Sequence, residues 1–90
     1  GWIDFSLSAS AAEKGQWNLL HLSQFSPVQP DGDISIAISQ QEFARMLGLS
    51  RQVVNTELNR LVAQGFIDVK YGTLRLKAKA LVAMREALAP

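Results

Sequence analysis

Ninety residues, 48% of them hydrophobic, suffice for one packed core and not for two, so residues 1–90 are read as a single domain. The formal net charge is +1, yet residues 1–44 hold one lysine against five carboxylates (−4) and residues 45–90 hold eight cations against three (+5), an asymmetry suited to one nucleic-acid-facing half. With no cysteine and only His21, disulfides, thiolate metal sites and a histidine-based catalytic pair are excluded; with no apolar run of about eighteen residues and no leader pattern, a soluble, cytoplasmic chain is expected.

Gly1-Trp2-Ile3-Asp4-Phe5 alternates weakly and reads as a short extended segment; its start at glycine suggests a domain excised from a longer protein. From Ala9 to Gln24 the pattern is helical, with Trp17 and Leu20, joined by Leu19 and Phe25, at three- and four-residue spacing. Gly15 weakens its first half. His21 lies beside that stripe and is read as a surface or partly buried histidine without a functional role. Ser26 to Gly32 holds two prolines and an Asp-Gly pair, hence a loop, and the isoleucines of Asp33 to Ile38 recur every second residue, hence a strand with one buried face.

The segment Ser39 to Gly65 organises the rest. Ser39-Gln40-Gln41-Glu42 has the spacing of a capping box, which starts a helix running from Gln40 to Leu47, and Gly48 supplies the left-handed residue that ends it. A second helix is predicted from Arg51 to Ala63 with Ser50 as its N-cap. Its Val54, Leu58, Leu61 and Val62 are assigned to the core, while Gln52, Asn55, Thr56 and Asn59 form a polar stripe. That stripe is uncharged and rich in amides, side chains that both donate and accept at base edges in a major groove. The helix's first turn has no acidic residue, which leaves its positive end open to a phosphate. Two helices joined by such a turn are a helix-turn-helix, and point to DNA.

Gly65 closes the second helix. Phe66 to Lys70 and Thr73 to Lys77 alternate on either side of Tyr71-Gly72, which predicts a β-hairpin. Lys70, Arg75, Lys77 and Lys79 cluster on or near it, making a basic wing that can lie along a sugar-phosphate backbone. Ala78 to Leu88 reads as a closing helix with Leu81, Met84 and Leu88 on one face. The fold class is therefore α+β, a small winged helix-turn-helix domain: a three-helix core with a short strand, a β-hairpin wing and a C-terminal helix.

Ile34 to Leu76 resembles the winged-helix DNA-binding domain of the Crp/Fnr family of bacterial transcription regulators. The likeness rests on the Ile34–Ile38 strand, Ser39-Gln40-Gln41-Glu42-Phe43-Ala44, Leu47-Gly48-Leu49-Ser50-Arg51, the Val54, Leu58 and Leu61 positions, and Gly65-Phe66-Ile67 with the Tyr71-Gly72 hairpin. The resemblance implies phosphate anchoring by Ser50 and base or phosphate contact by Arg51. It also implies an upstream sensor domain that binds an effector such as a cyclic nucleotide, a homodimer in the full-length protein, a monomeric isolated domain, and RNA polymerase as a partner. Gln52 stands where the family usually has glutamate, Thr56 where it frequently has an arginine near the centre of the helix, and Glu57 where an apolar residue is usual, with Arg60 or Arg45 as its pairing partner. The DNA-contacting candidates are Ser39, Gln40, Ser50, Arg51, Gln52, Asn55, Thr56, Asn59, Lys70, Arg75 and Lys77. No cofactor, metal site, catalytic residue or membrane partner is expected within the domain; the alternative reading is a winged helix that binds another protein instead of DNA.

Overall fold

The computed structural model describes residues 10–88, apart from the side chain of Leu88, so the expected extended segment at residues 1–5 lies outside the described residues. In chain order the elements are α1 (Ala11–Ser23), β1 (Ile34–Ile36), α2 (Gln40–Leu47), α3 (Arg51–Ala63), β2 (Ile67–Lys70), β3 (Thr73–Leu76) and α4 (Ala78–Leu88). The three strands form one antiparallel sheet in the order β1-β3-β2, so the expected α+β winged fold is what the chain adopts.

The starts of α1 and α2 and the end of α2 have local causes. α1 begins at a capping box in which the Glu13 N–H donates to Ser10 Oγ at 3.2 Å and the Ser10 N–H donates to Glu13 at 3.3 Å. This Ser-x-x-Glu signal at Ser10-Ala11-Ala12-Glu13 moves the helix start to Ala11 from the expected Ala9. α2 opens on the predicted box at Ser39 and Glu42, with both hydrogen bonds at 3.0 Å. It ends at Gly48, whose φ of 69° lets the Leu49 N–H reach back to the Ala44 carbonyl at 3.1 Å. A side chain at Gly48 would strain that left-handed turn, and with it the angle between α2 and α3.

The core lies between the helices and one face of the sheet. Ile34 and Ile36 of β1 face the same way as Leu74 and Leu76 of β3 and Ile67 of β2, because Ile34 and Ile67 both lie opposite Leu76, and Ile36 lies opposite Leu74. Against this apolar face pack Leu19 of α1, Phe43 and Ala44 of α2, Val54, Leu58 and Leu61 of α3, and Ala80 and Met84 of α4, all buried. The opposite face of the sheet is polar and carries Ser35, Arg75 and Asp68 side by side.

Two apolar assignments are corrected. Phe25, expected on the buried stripe of α1, is 76% exposed, because the helix ends at Ser23 and the chain turns before the stripe's next position. Val62, expected in the core, is 40% exposed. It lies seven residues beyond Asn55, almost directly above it on the helix surface, and so sits at the edge of the polar face. On α4, Met84 is buried and Leu81 half-buried as expected, while the Leu88 side chain lies outside the described residues.

Candidate nucleic-acid interface

α3 covers the predicted span, residue for residue. Ser50 Oγ accepts from the Val53 N–H at 3.2 Å, and the first turn holds no acidic side chain. The remaining free N–H groups and the positive helix end are thus left uncompensated by carboxylates of that turn. Val54, Leu58 and Leu61 press this helix onto the core, which fixes its rotation and turns Gln52, Asn55, Thr56 and Asn59 outward, all four exposed. Arg51 is exposed too, and stands one turn before Asn55 on the same edge.

Thr56 is less free than its exposure suggests. Its hydroxyl donates to the Gln52 carbonyl at 3.0 Å, which commits its proton within the helix and leaves it only acceptor capacity and a γ-methyl for other contacts. A methyl group in that position suits the C5-methyl of thymine. Glu57, half-buried against the α1 side of α3, forms an ion pair with Arg60, one of its two expected partners.

Beside the start of α3 lies a groove of about 450 Å³, lined by Ser39, Gln40, Gln41 and Glu42 of the α2 start, Arg51 of α3, and Lys70, Tyr71 and Gly72 at the wing tip. The hairpin reaches it because β2 and β3 pair up to Lys70 opposite Thr73, leaving a two-residue turn whose Gly72 has a φ of 71°. Four candidates distant in sequence, Ser39, Gln40, Arg51 and Lys70, are brought together here. The Glu42 carboxylate in the same groove is held by the Ser39 N–H, which keeps its pKa below the usual carboxylate range and the group ionised.

Arg75 and Lys77 lie elsewhere. Both project from the polar face of the sheet into a cluster of carboxylates. The Arg75 guanidinium donates to Asp31 at 2.6 Å and to Asp33 at 3.1 Å, and the Lys77 ammonium approaches Asp68 at 2.8 Å and Asp33 at 3.4 Å. Asp33 is buried, and its second oxygen accepts from the Ala78 N–H at 3.0 Å, which caps the start of α4. That backbone bond, followed by Arg75 and Lys77, lowers the Asp33 pKa; Lys77 lowers that of Asp68. Conversely, the hydrogen bond to Asp33 raises the Arg75 pKa, and that to Asp68 raises the Lys77 pKa. These two cations are therefore neutralised at neutral pH, whereas Arg51 and Lys70 have no ion-pair partner among the described residues.

Sequence reasoning passed over Tyr71, treated only as a turn residue, and Val53, which is 40% exposed on α3 between Gln52 and the core. It also took Asp33 as the first residue of a strand; its contacts with Arg75, Lys77 and Ala78 span 42 to 45 positions and leave no local signal. His21 is exposed and stacks on Trp17 with ring centroids 5.4 Å apart, and Phe25 meets its edge at the same separation. Among the described residues no group of three or more His, Asp or Glu is placed to hold a metal ion, and no helix is long and apolar enough to cross a membrane.

Residues 17–86 match the Crp-like helix-turn-helix domain. The chain is similar to solved structures of a CRP-family transcriptional regulator of Thermus thermophilus (TM-score 0.80, 21% identity, 99% of this chain and 45% of that one) and a CRP/FNR-family transcriptional regulator of the same organism (TM-score 0.77, 24%, 93% and 44%). It is also similar to the CO-dependent transcription factor CooA of Carboxydothermus hydrogenoformans in its imidazole-bound form (TM-score 0.74, 27% identity, 93% and 39%). The chain thus spans less than half the length of each. No curated protein matches it at the sequence level.

Proposed function

We propose, from the premise that this chain belongs to the Crp-like helix-turn-helix domain family and is a DNA-binding unit of transcription regulation, that α3 enters the major groove of duplex DNA. The observation that carries this reading is the exposed, uncharged stripe Gln52, Asn55, Thr56 and Asn59, bordered by Arg51 at an uncompensated helix start. Amides at positions 52, 55 and 59 supply paired donors and acceptors to base edges, and Thr56 supplies a methyl and an acceptor. Ser39, Gln40, Arg51 and Lys70, gathered on the groove between the wing tip and the helix starts, and Ser50 at the N-cap of α3 flank that stripe and hold the backbone of one strand.

Arg75 and Lys77 take a different role in this reading from the one their charge suggests. Tied to Asp31, Asp33 and Asp68, they brace the wing against the preceding loop and α4, and the positive charge offered to DNA is that of Arg51 and Lys70. In the full-length protein we place an effector-binding domain upstream, a homodimer whose two α3 helices take successive turns of a palindromic site, and contact with RNA polymerase in the cytoplasm. Within this domain no cofactor and no catalytic step are needed for the role.

The test is a titration of a duplex recovered from a random-sequence pool. Arg51→Ala is expected to weaken binding several-fold while Arg85→Ala, an exposed charge on α4, leaves it unchanged. Equal affinities for the two variants would overturn the assignment.

A further inference from the structure

Tyr71 is the chain's one tyrosine, and its relative exposure of 106% makes it the most projecting of the described large apolar side chains. A ring held wholly in water contributes nothing to the core, and Phe66 and Val69 of the same hairpin already pack there. Its position is not arbitrary. It sits at the tip of the two-residue turn, next to Lys70, which has no ion-pair partner among the described residues, and it lines the groove whose far wall holds Arg51 and the start of α2.

Resting on the reading of α3 as a major-groove helix, we propose that Tyr71 is a non-ionic DNA contact, its ring lying against the deoxyribose wall of the strand whose phosphates Lys70 and Arg51 hold. The chemistry of the tip suits that surface. Lysine addresses the phosphate, and an aromatic face beside it covers the apolar sugar edge exposed between successive phosphates, while the phenol hydroxyl remains free to donate to a phosphate oxygen. Because the tip turns on Gly72 alone, the ring is carried on a short, paired hairpin instead of a long loop, so little ordering cost is incurred on binding.

Ionic and non-ionic contacts separate by their salt dependence. Loss of a phosphate contact lowers the slope of log affinity against log salt by about one, while loss of an apolar contact lowers affinity at every salt concentration with the slope unchanged. With a duplex recovered from a random pool as the probe, Tyr71→Ala is expected to weaken binding roughly five- to tenfold with the parent's slope, and Tyr71→Phe to retain most of the affinity. Lys70→Ala is expected to lower the slope. Since Tyr71 is the sole tyrosine, the rate at which iodotyrosine forms reports on it alone, and duplex is expected to protect it.

Parent-like affinity of Tyr71→Ala together with unprotected iodination, while Arg51→Ala still weakens binding, would overturn this proposal and leave the α3 reading standing. Protection that rises with protein concentration in the absence of DNA would assign the ring to self-association and overturn it as well. Failure of the parent chain to bind any duplex at low salt would remove both readings together.

Discussion

How many positive charges the domain offers to DNA is decided by the ion pairs on the sheet, and it can be measured. Counting from sequence, Arg51, Lys70, Arg75 and Lys77 are four phosphate-binding cations; counting from the structure, the last two are already neutralised by Asp31, Asp33 and Asp68. With a slope near −0.9 per neutralised phosphate, four cations give about −3.6 and two give about −1.8 for log affinity against log salt. For a roughly fourfold rise in salt, those slopes mean about a 150-fold and about a 12-fold loss of affinity. Fluorescence anisotropy of a labelled duplex, titrated at several salt concentrations, reads the slope directly. The two-cation value is expected for each chain, Lys70→Ala should reduce it by about 0.9, and Arg75→Ala should leave it unchanged. A parent slope near −3.6 that falls with Arg75→Ala would refute the view that the carboxylates hold these cations away from DNA.

Further outcomes follow from the packing. Gly15 is buried on α1, yet a methyl group there would meet nothing within 4 Å, so Gly15→Ala is expected to stabilise the domain by about 1 kcal/mol in urea unfolding through helix propensity. A loss of stability would show that the crevice between α1 and α3 has no room for the methyl. Leu58 is 1% exposed, and Leu58→Ala should cost about 2–5 kcal/mol, enough to unfold much of the population of a domain this small. Ser39→Ala removes an N-cap and should cost about 1 kcal/mol.

Acid should act through the carboxylates of the sheet. Asp33 and Asp68 have folded pKa values below the ordinary 3.8, so the unfolded chain binds more protons near that pH, and stability rises with pH there. The contribution is fully present above the unfolded value and is lost as pH falls through the folded values. Asp33→Asn should lower the thermal midpoint at neutral pH and flatten its dependence below about pH 4, as followed by circular dichroism.

Readability from sequence followed the range of the interactions. The starts of α2 and α3 and the end of α2 were legible at Ser39, Ser50 and Gly48 because a cap binds its own helix three or four residues away, whereas the C-cap of α3 is Gln64 and the expected Gly65, with a φ of 75°, follows it as the left-handed residue of the turn. The outward stripe was legible for the same reason, since helical periodicity alone sets Gln52 apart from Leu58. The wing was legible as a hairpin but not as an electrostatic object. Arg75 meets Asp31 and Asp33 only after the loop before β1 folds back over β3, and nothing in residues 66–77 announces an acid more than forty positions earlier. Tyr71 shows the converse limit: a turn residue was expected there, and only its place on the rim of the groove beside Arg51, which the folded chain reveals, supports the DNA contact proposed for its ring.

The central claim is that the stripe on α3 reads bases, and the most direct measurement is selection of duplexes from a random pool by the parent and by Gln52→Ala, Asn55→Ala, Thr56→Ala and Asn59→Ala in turn. The account predicts that variants in the stripe relax or change the recovered motif at individual positions, with a cost of about 1–3 kcal/mol at each, while Lys70→Ala recovers the parent motif at lower affinity. Recovery of the unaltered parent motif by all four stripe variants would contradict it.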